Sequence, residues 1–167
     1  VVYCAKSVPE NVSFADLCYR SADDIKSSNF MQEDFAAVTR LKYFLIEQAT
    51  RDARATLFLD ADVSIVANPF PLLHSLASPV AFQRESQKGG VTTGQIWVQS
   101  GAEALAMLHI VNSTTDWEQP VIGRFASRAY RDYILPKQFV GNCWHHSDLP
   151  SDAVTFHAHC LQGFQAK

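Results

Sequence analysis

Apolar and polar positions divide the chain into alternating helix-like and strand-like stretches. From Gln32 to about Ala53, Phe35, Val38, Leu41, Leu45 and Ala49 recur at steps of three and four, which predicts a helix with those residues on its core face. Leu57, Phe58 and Leu59 follow as a run apolar on both faces, the mark of a buried strand. Asn68-Pro69-Phe70-Pro71 forces a turn, with Pro69 opening a short helix over Phe70 to His74. Pro79 to Gln83 predicts another strand, Arg84 to Gly90 a polar connection, and Gln95 to Gln99 a further strand. Helices are expected over Ala102 to Val111 and over Glu118 to Tyr130, where Pro120 falls in the tolerant first turn. Tyr133 to Val140 reads as extended, Asn142 to Ser151 as a loop, and Val154-Thr155-Phe156 as the last strand, leading into His157. Residues 1–5 and Ala15 to Tyr19 read as two earlier strands, broken by Pro9 to Asn11 and followed by a polar loop.

This alternation predicts an α/β fold over a single domain, residues 1–167, with no internal repeat or low-complexity segment. At 167 residues the chain is long enough to bury a core. An apolar fraction of 47% with 19% charged residues fits a soluble globular protein. A net charge of −3 offers no basic field for nucleic acid or an anionic membrane, and no apolar run reaches the length of a membrane span. Val1-Val2-Tyr3-Cys4 lacks the charged start of a signal peptide. Cys4, Cys18, Cys143 and Cys160 form no CxxC pair, which argues against structural zinc; buried thiols and one or two disulfides both remain compatible. Sequons at Asn11 and Asn112 favour a secretory lumen only slightly, so the compartment stays open: Golgi or another secretory lumen in a eukaryote, otherwise the cytoplasm.

Chemistry concentrates where the first buried strand ends, at Asp60-Ala61-Asp62. A period of two aims both acids to one side, and two carboxylates so placed call for a cation between them. Carboxylate oxygens suit Mg²⁺ or Mn²⁺, ions that join protein acids to substrate phosphates. Asp also favours turns and caps after strands, so this short motif alone carries limited weight. In open α/β sheets ligands sit beyond the carboxyl ends of strands, where Asp60, Asp62 and His157 all fall on this reading. Taken alone, Arg40 and Lys42 are a solvated face paired with Glu47 or Asp52, Glu118 and Gln119 an ordinary acidic helix start, and His157 a core histidine. Trp97, Trp117 and Trp144 read as core or rim aromatics, and Arg84 as a solvated strand end.

Four segments taken together change that picture: Leu41-Lys42-Tyr43, Asp60-Ala61-Asp62, Thr92-Thr93-Gly94-Gln95-Ile96-Trp97-Val98, and the ending Phe156 to Lys167. In order and spacing they resemble the nucleotide-diphospho-sugar transferases of the GT-A fold. The likeness is greatest to the retaining branch that includes plant arabinosyl-, xylosyl- and galactosyltransferases, of glycogenin-like design. It implies a Rossmann-like, mixed and mostly parallel sheet flanked by helices, lacking the family's usual first strand. By the same resemblance, Asp60, Ala61 and Asp62 form the metal and nucleotide motif, and His157 completes the metal shell. Gly163 and Lys167 would serve the diphosphate, and Lys42 or Arg40 the nucleotide. Thr93, Gly94 and Gln95 fall at the polar-Gly step facing the donor sugar, and Glu118-Gln119 near the anomeric carbon. Two positions depart from the pattern: Glu118 stands for the usual Asp, and His159 for Asn. His145, His146 and His159 have no ligand context and read as loop or structural residues, with His146 an outside candidate for acceptor contact. One of Trp97, Trp117 and Trp144 is available to stack on an acceptor sugar, and Arg84 reads equally as a solvated strand end or a residue approaching the donor.

The resulting expectation is a Mn²⁺- or Mg²⁺-dependent glycosyltransferase. It would move a sugar from a nucleotide-diphosphate donor, UDP first among them, to a glycan, protein or small-molecule acceptor with retention. A catalytically weak or inactive nucleotide-sugar-binding domain is the alternative. A phosphatase would need a later Asp pair, and a nucleotidyltransferase an early Gly-rich loop; neither is present.

Overall fold

The computed structural model describes residues 35–86, 89–114, 118–126, 133–141 and 150–158. The elements, in order, are α1 (Phe35–Asp52), β1 (Ala55–Leu59), β2 (Val63–Ile65), α2 (Phe70–His74), β3 (Val80–Ser86), β4 (Gly89–Gln99), α3 (Ala102–Ser113), α4 (Glu118–Ala126), β5 (Phe139–Gly141) and β6 (Thr155–His157). They form two three-stranded sheets, ordered β1-β4-β3 and β2-β6-β5. The strands expected before Gln32, the four cysteines and the sequon at Asn11 lie outside the described residues.

Strand alternation gives the first sheet two apolar faces. Phe58, Ile96 and Phe82 are cross-strand partners on one face, and Leu57, Trp97 and Ala81 on the other. The first row packs under the helices, against Tyr43 and Ile46 of α1, Met107, Leu108 and Val111 of α3, and Ile122 of α4. The second row packs against Leu72 and Leu73 of α2, Phe139 of β5, Leu135 and Val154. Each fully buried side chain of this kind contributes roughly 1.5–3 kcal/mol of transfer free energy. The sheet is therefore covered on both sides, as the apolar run of β1 requires.

The α/β class holds, but the sheets are not mostly parallel among the described strands. β1 and β3 both run antiparallel to β4, and β2 runs antiparallel to β6; the parallel pairs are β5–β6 and an isolated bridge between Phe82 and Ile134. The reason is that β3 returns directly as β4 without a helical crossover, and only a crossover makes neighbours parallel. The stretch read as a polar connection, Arg84 to Gly90, belongs largely to this hairpin, with Ser86 paired to Gly89. Gly90 sits there at φ 88, a conformation in which glycine is favoured.

In α1 the buried face is centred on Tyr43, Ile46 and Thr50, with Ala49 beside it, while Leu41 and Leu45 are only half-buried. This is rotated from the expected stripe, because the sheet takes the Tyr43 ring in preference to the two leucines. Glu47, also buried, accepts from Arg51 at 2.6 Å and from Asn112 of α3 at 2.7 Å. One of the two acids expected to pair with Arg40 and Lys42, Glu47, is thus used within α1 and by α3, and the Asn112 sequon amide is engaged between helices. Among the described residues no helix is long and apolar enough to cross a membrane.

Candidate metal centre

β1 ends at Leu59, and the backbone turns at once. Asp60 N donates to Gly94 O at 2.8 Å, and Val63 N donates to Asp60 O at 3.0 Å, closing a tight turn over Asp60-Ala61-Asp62. The chain thereby leaves the first sheet and enters β2 of the second. In that sheet β6 is central, and His157 lies between its register partners Val63 and Gly141. Ala158 N donates to Asp62 O at 3.0 Å, pinning the second acid beside the imidazole. The site is therefore the seam between the two sheets.

Asp60, Asp62 and His157 each present a ligand atom, and these atoms lie within 4.8 Å of one another. The two acids meet because of the turn, not because of strand alternation, since neither belongs to a strand. His157 lies within its strand instead of following it. Its side chain is 4% exposed, whereas Asp62 is 51% exposed. The arrangement has a dry imidazole floor and a wet carboxylate rim. Two carboxylates and an imidazole are a donor set for a divalent cation such as Mn²⁺ or Mg²⁺, and the residues present fit that group.

A pronounced bulge shapes the floor. Phe82 pairs with Ile96, but the next residue, Gln83, pairs with Thr92, so Thr93-Gly94-Gln95 swells out of β4 opposite β3. Bulges of this kind redirect side chains beside functional sites. Gly94 brings its open face under the ring: a Cβ there would clash with Cε1 and lie 2.7 Å from Nδ1 and 2.8 Å from Nε2 of His157. The ring is held edgewise as well. Its Nδ1 lies 2.7 Å from Gln83 Oε1 and its Nε2 3.2 Å from Asp62 Oδ1.

The remaining expected residues divide by position. Lys42 reaches from α1 to the bulge, donating to Thr93 Oγ1 at 2.7 Å and Thr93 O at 3.3 Å. Gln95 turns inward, accepting from Thr155 Oγ1 at 2.5 Å and donating to Val140 O at 3.3 Å, and so ties the sheets together beneath the site. Gly94 meets the imidazole on its open face, and Ala61 is exposed between the acids. Arg40 lies in α1, and Glu118 and Gln119 open α4, which packs on β4; their side chains are outside the described set. Gly163, Lys167, His145, His146, His159, Trp117 and Trp144 also lie outside it. Trp97 is a core residue, and Arg84 is exposed on β3.

Gln83 is the residue that sequence reasoning passed over. It is 0% exposed, and its Nε2 has no hydrogen-bond partner. The available signal was a long polar side chain ending the apolar run Val80-Ala81-Phe82, a position where burial is unavoidable.

The described residues thus form a mixed α/β fold that gathers two acids and an imidazole, able to hold a metal ion, at a sheet seam. The chain belongs to the nucleotide-diphospho-sugar transferase family, whose model matches residues 4–167. No curated protein matches it significantly.

Proposed function

We propose that this chain is a metal-dependent glycosyltransferase that takes its sugar from a nucleotide-diphosphate donor, with UDP the expected nucleotide. The observation carrying the reading is the convergence of Asp60, Asp62 and His157 within 4.8 Å, in a chain whose family acts on such donors. A bound Mn²⁺ or Mg²⁺ would supply Lewis-acid stabilisation of the diphosphate as the glycosidic bond breaks.

The chain's own residues divide the rest of the work. Asp60 and Asp62 offer the anionic oxygens, and the buried His157 offers a nitrogen from a fixed direction. Lys42 places positive charge beside Thr93 at the bulge, near where the nucleotide would lie. Lys167 adds charge to the diphosphate by the family likeness, with Gly163 allowing close backbone approach. Transfer passes through an oxocarbenium-like centre, and Gln119 or Glu118 at the start of α4 would stabilise it. Retention follows from the likeness to the retaining branch, with the departing phosphate taking the acceptor's proton.

The test is a thermal-shift panel of nucleotide sugars with and without Mn²⁺, followed by product analysis. A Mn²⁺-dependent shift with one UDP-sugar, and transfer or slow release of that sugar, is the expected result. A shift without any sugar release would make the chain a binding domain. No shift with any nucleotide sugar would remove the reading.

A further inference from the structure

We infer that Gln83 is a positioning residue that selects the tautomer of His157 able to bind a metal; this rests on the metal reading above. A neutral imidazole carries one N–H, and only its bare nitrogen can coordinate. Among the described residues, two acceptors flank the His157 ring. The Asp62 carboxylate lies 3.2 Å from Nε2, and the Gln83 amide oxygen lies 2.7 Å from Nδ1. They compete for one proton. Were Asp62 to win, Nε2 would be blocked at the edge that faces the acids. A charged acceptor is ordinarily the stronger of the two, so something must favour the other edge.

Geometry supplies that bias. The Gln83 contact is the shorter, and Gln83 is wholly buried, whereas Asp62 is 51% exposed and shares its charge with water. With the proton on Nδ1, Nδ1–H donates to Gln83 Oε1 and Nε2 stays open beside Asp60 and Asp62. With the proton on Nε2, the Nδ1 lone pair would face the lone pairs of the amide oxygen. The ring has no room to escape the choice by tilting, because it lies on Gly94 with no space for even a Cβ between them.

The unpartnered Gln83 Nε2 fits the same account. Buried donors are rarely left unsatisfied, and each exception calls for an explanation. Here the amide keeps its oxygen toward the imidazole and leaves its nitrogen unpaired. Outer partners of this type hold a metal-binding histidine in one tautomer, and losing one typically lowers metal affinity about 10–100-fold.

Nitrogen NMR of the metal-free protein at alkaline pH, with His157 assigned by a His157→Asn variant, reads the tautomer directly. The expected result is a protonated Nδ1 and a bare Nε2. A protonated Nε2 in the wild-type protein overturns the inference. Mn²⁺ calorimetry supplies the second arm, with Gln83→Met removing the acceptor at similar volume and Gln83→Glu retaining an acceptor that cannot donate. Mn²⁺ affinity should fall roughly 10–100-fold in Gln83→Met and return in Gln83→Glu. Equal affinity in wild type and Gln83→Met, or loss in both variants, refutes Gln83 alone. Failure of the wild-type protein itself to bind Mn²⁺ removes the metal reading, and this inference with it. Should Gln83→Met not fold, the wild-type spectrum and the Gln83→Glu titration still decide.

Discussion

Thr155 donates its hydroxyl to Gln95 Oε1 at 2.5 Å, joining the middle strand of one sheet to the bulged strand of the other. Both residues are 0% exposed, so neither has water as a substitute partner. Gln95→Leu would strand the Thr155 hydroxyl, at a cost of about 1–3 kcal/mol for a buried group left unsatisfied, and would remove a second donor from the Val140 carbonyl. The urea midpoint should drop with little change in slope. Adding Thr155→Val should recover part of the loss, since the orphaned hydroxyl is then gone. Strictly additive losses would mean that the two side chains do not act as a pair.

Asp62 and His157 share the candidate metal centre but not its burial, and this separates their truncations. Asp62→Ala removes a half-exposed carboxylate, so stability should change by no more than about 0.5 kcal/mol. Metal-dependent UDP binding should nevertheless vanish, as it should in wild-type protein stripped with a chelator. His157→Ala empties the space over Gly94 and should cost about 2 kcal/mol or more in addition to the metal. The comparison needs metal-free denaturation curves and Mn²⁺ calorimetry on the same samples. An Asp62→Ala protein that still binds UDP in a Mn²⁺-dependent way would count against the site.

The sequence carried the elements better than their arrangement. α1, β1, α2 and α3 were legible because each has a continuous periodicity or a proline signal of its own. β2 was missed because Val63-Ser64-Ile65 is too short to show a period, and it forms only by pairing with β6. The antiparallel first sheet was hidden for a related reason: strands alternating with helices suggest crossovers, whereas the β3–β4 hairpin runs through Arg84 and Glu85, which look like loop. Asp60 and Asp62 were found by pattern, although a turn, not strand alternation, brings them together. Gln83 left only a polar ending to the apolar run Val80-Ala81-Phe82, because its contact is with a histidine distant in the chain and across a bulge that no local propensity encodes.

Gly94 makes a sharper test than any ligand residue, because it contributes no side chain. Gly94→Ala places a methyl in severe overlap with His157 Cε1. Either the ring or the bulge must move, at about the 1–3 kcal/mol typical of overpacking. Mn²⁺ affinity should fall although Asp60, Asp62 and His157 are all intact. A Gly94→Ala protein with wild-type Mn²⁺ affinity would show that the imidazole does not need this seat.

Lys42 separates nucleotide binding from metal binding. Its ammonium donates to Thr93 and lies over the rings of Tyr43 and Phe58, 5.5 and 5.9 Å from their centroids. Lys42→Met keeps an apolar side chain of similar length and removes the charge, the donor and the ammonium's contact with the rings. The fold should lose about 1 kcal/mol for the missing hydrogen bond. Mn²⁺ affinity measured alone should stay at the wild-type value, because Lys42 is not a metal donor. UDP affinity in saturating Mn²⁺ should fall about tenfold, corresponding to the loss of one charge-assisted contact with a phosphate or base. Calorimetry with the two titrants in sequence distinguishes the cases: a parallel fall in both affinities would place Lys42 in support of the metal shell, and no change in either would leave it as a structural prop for Thr93.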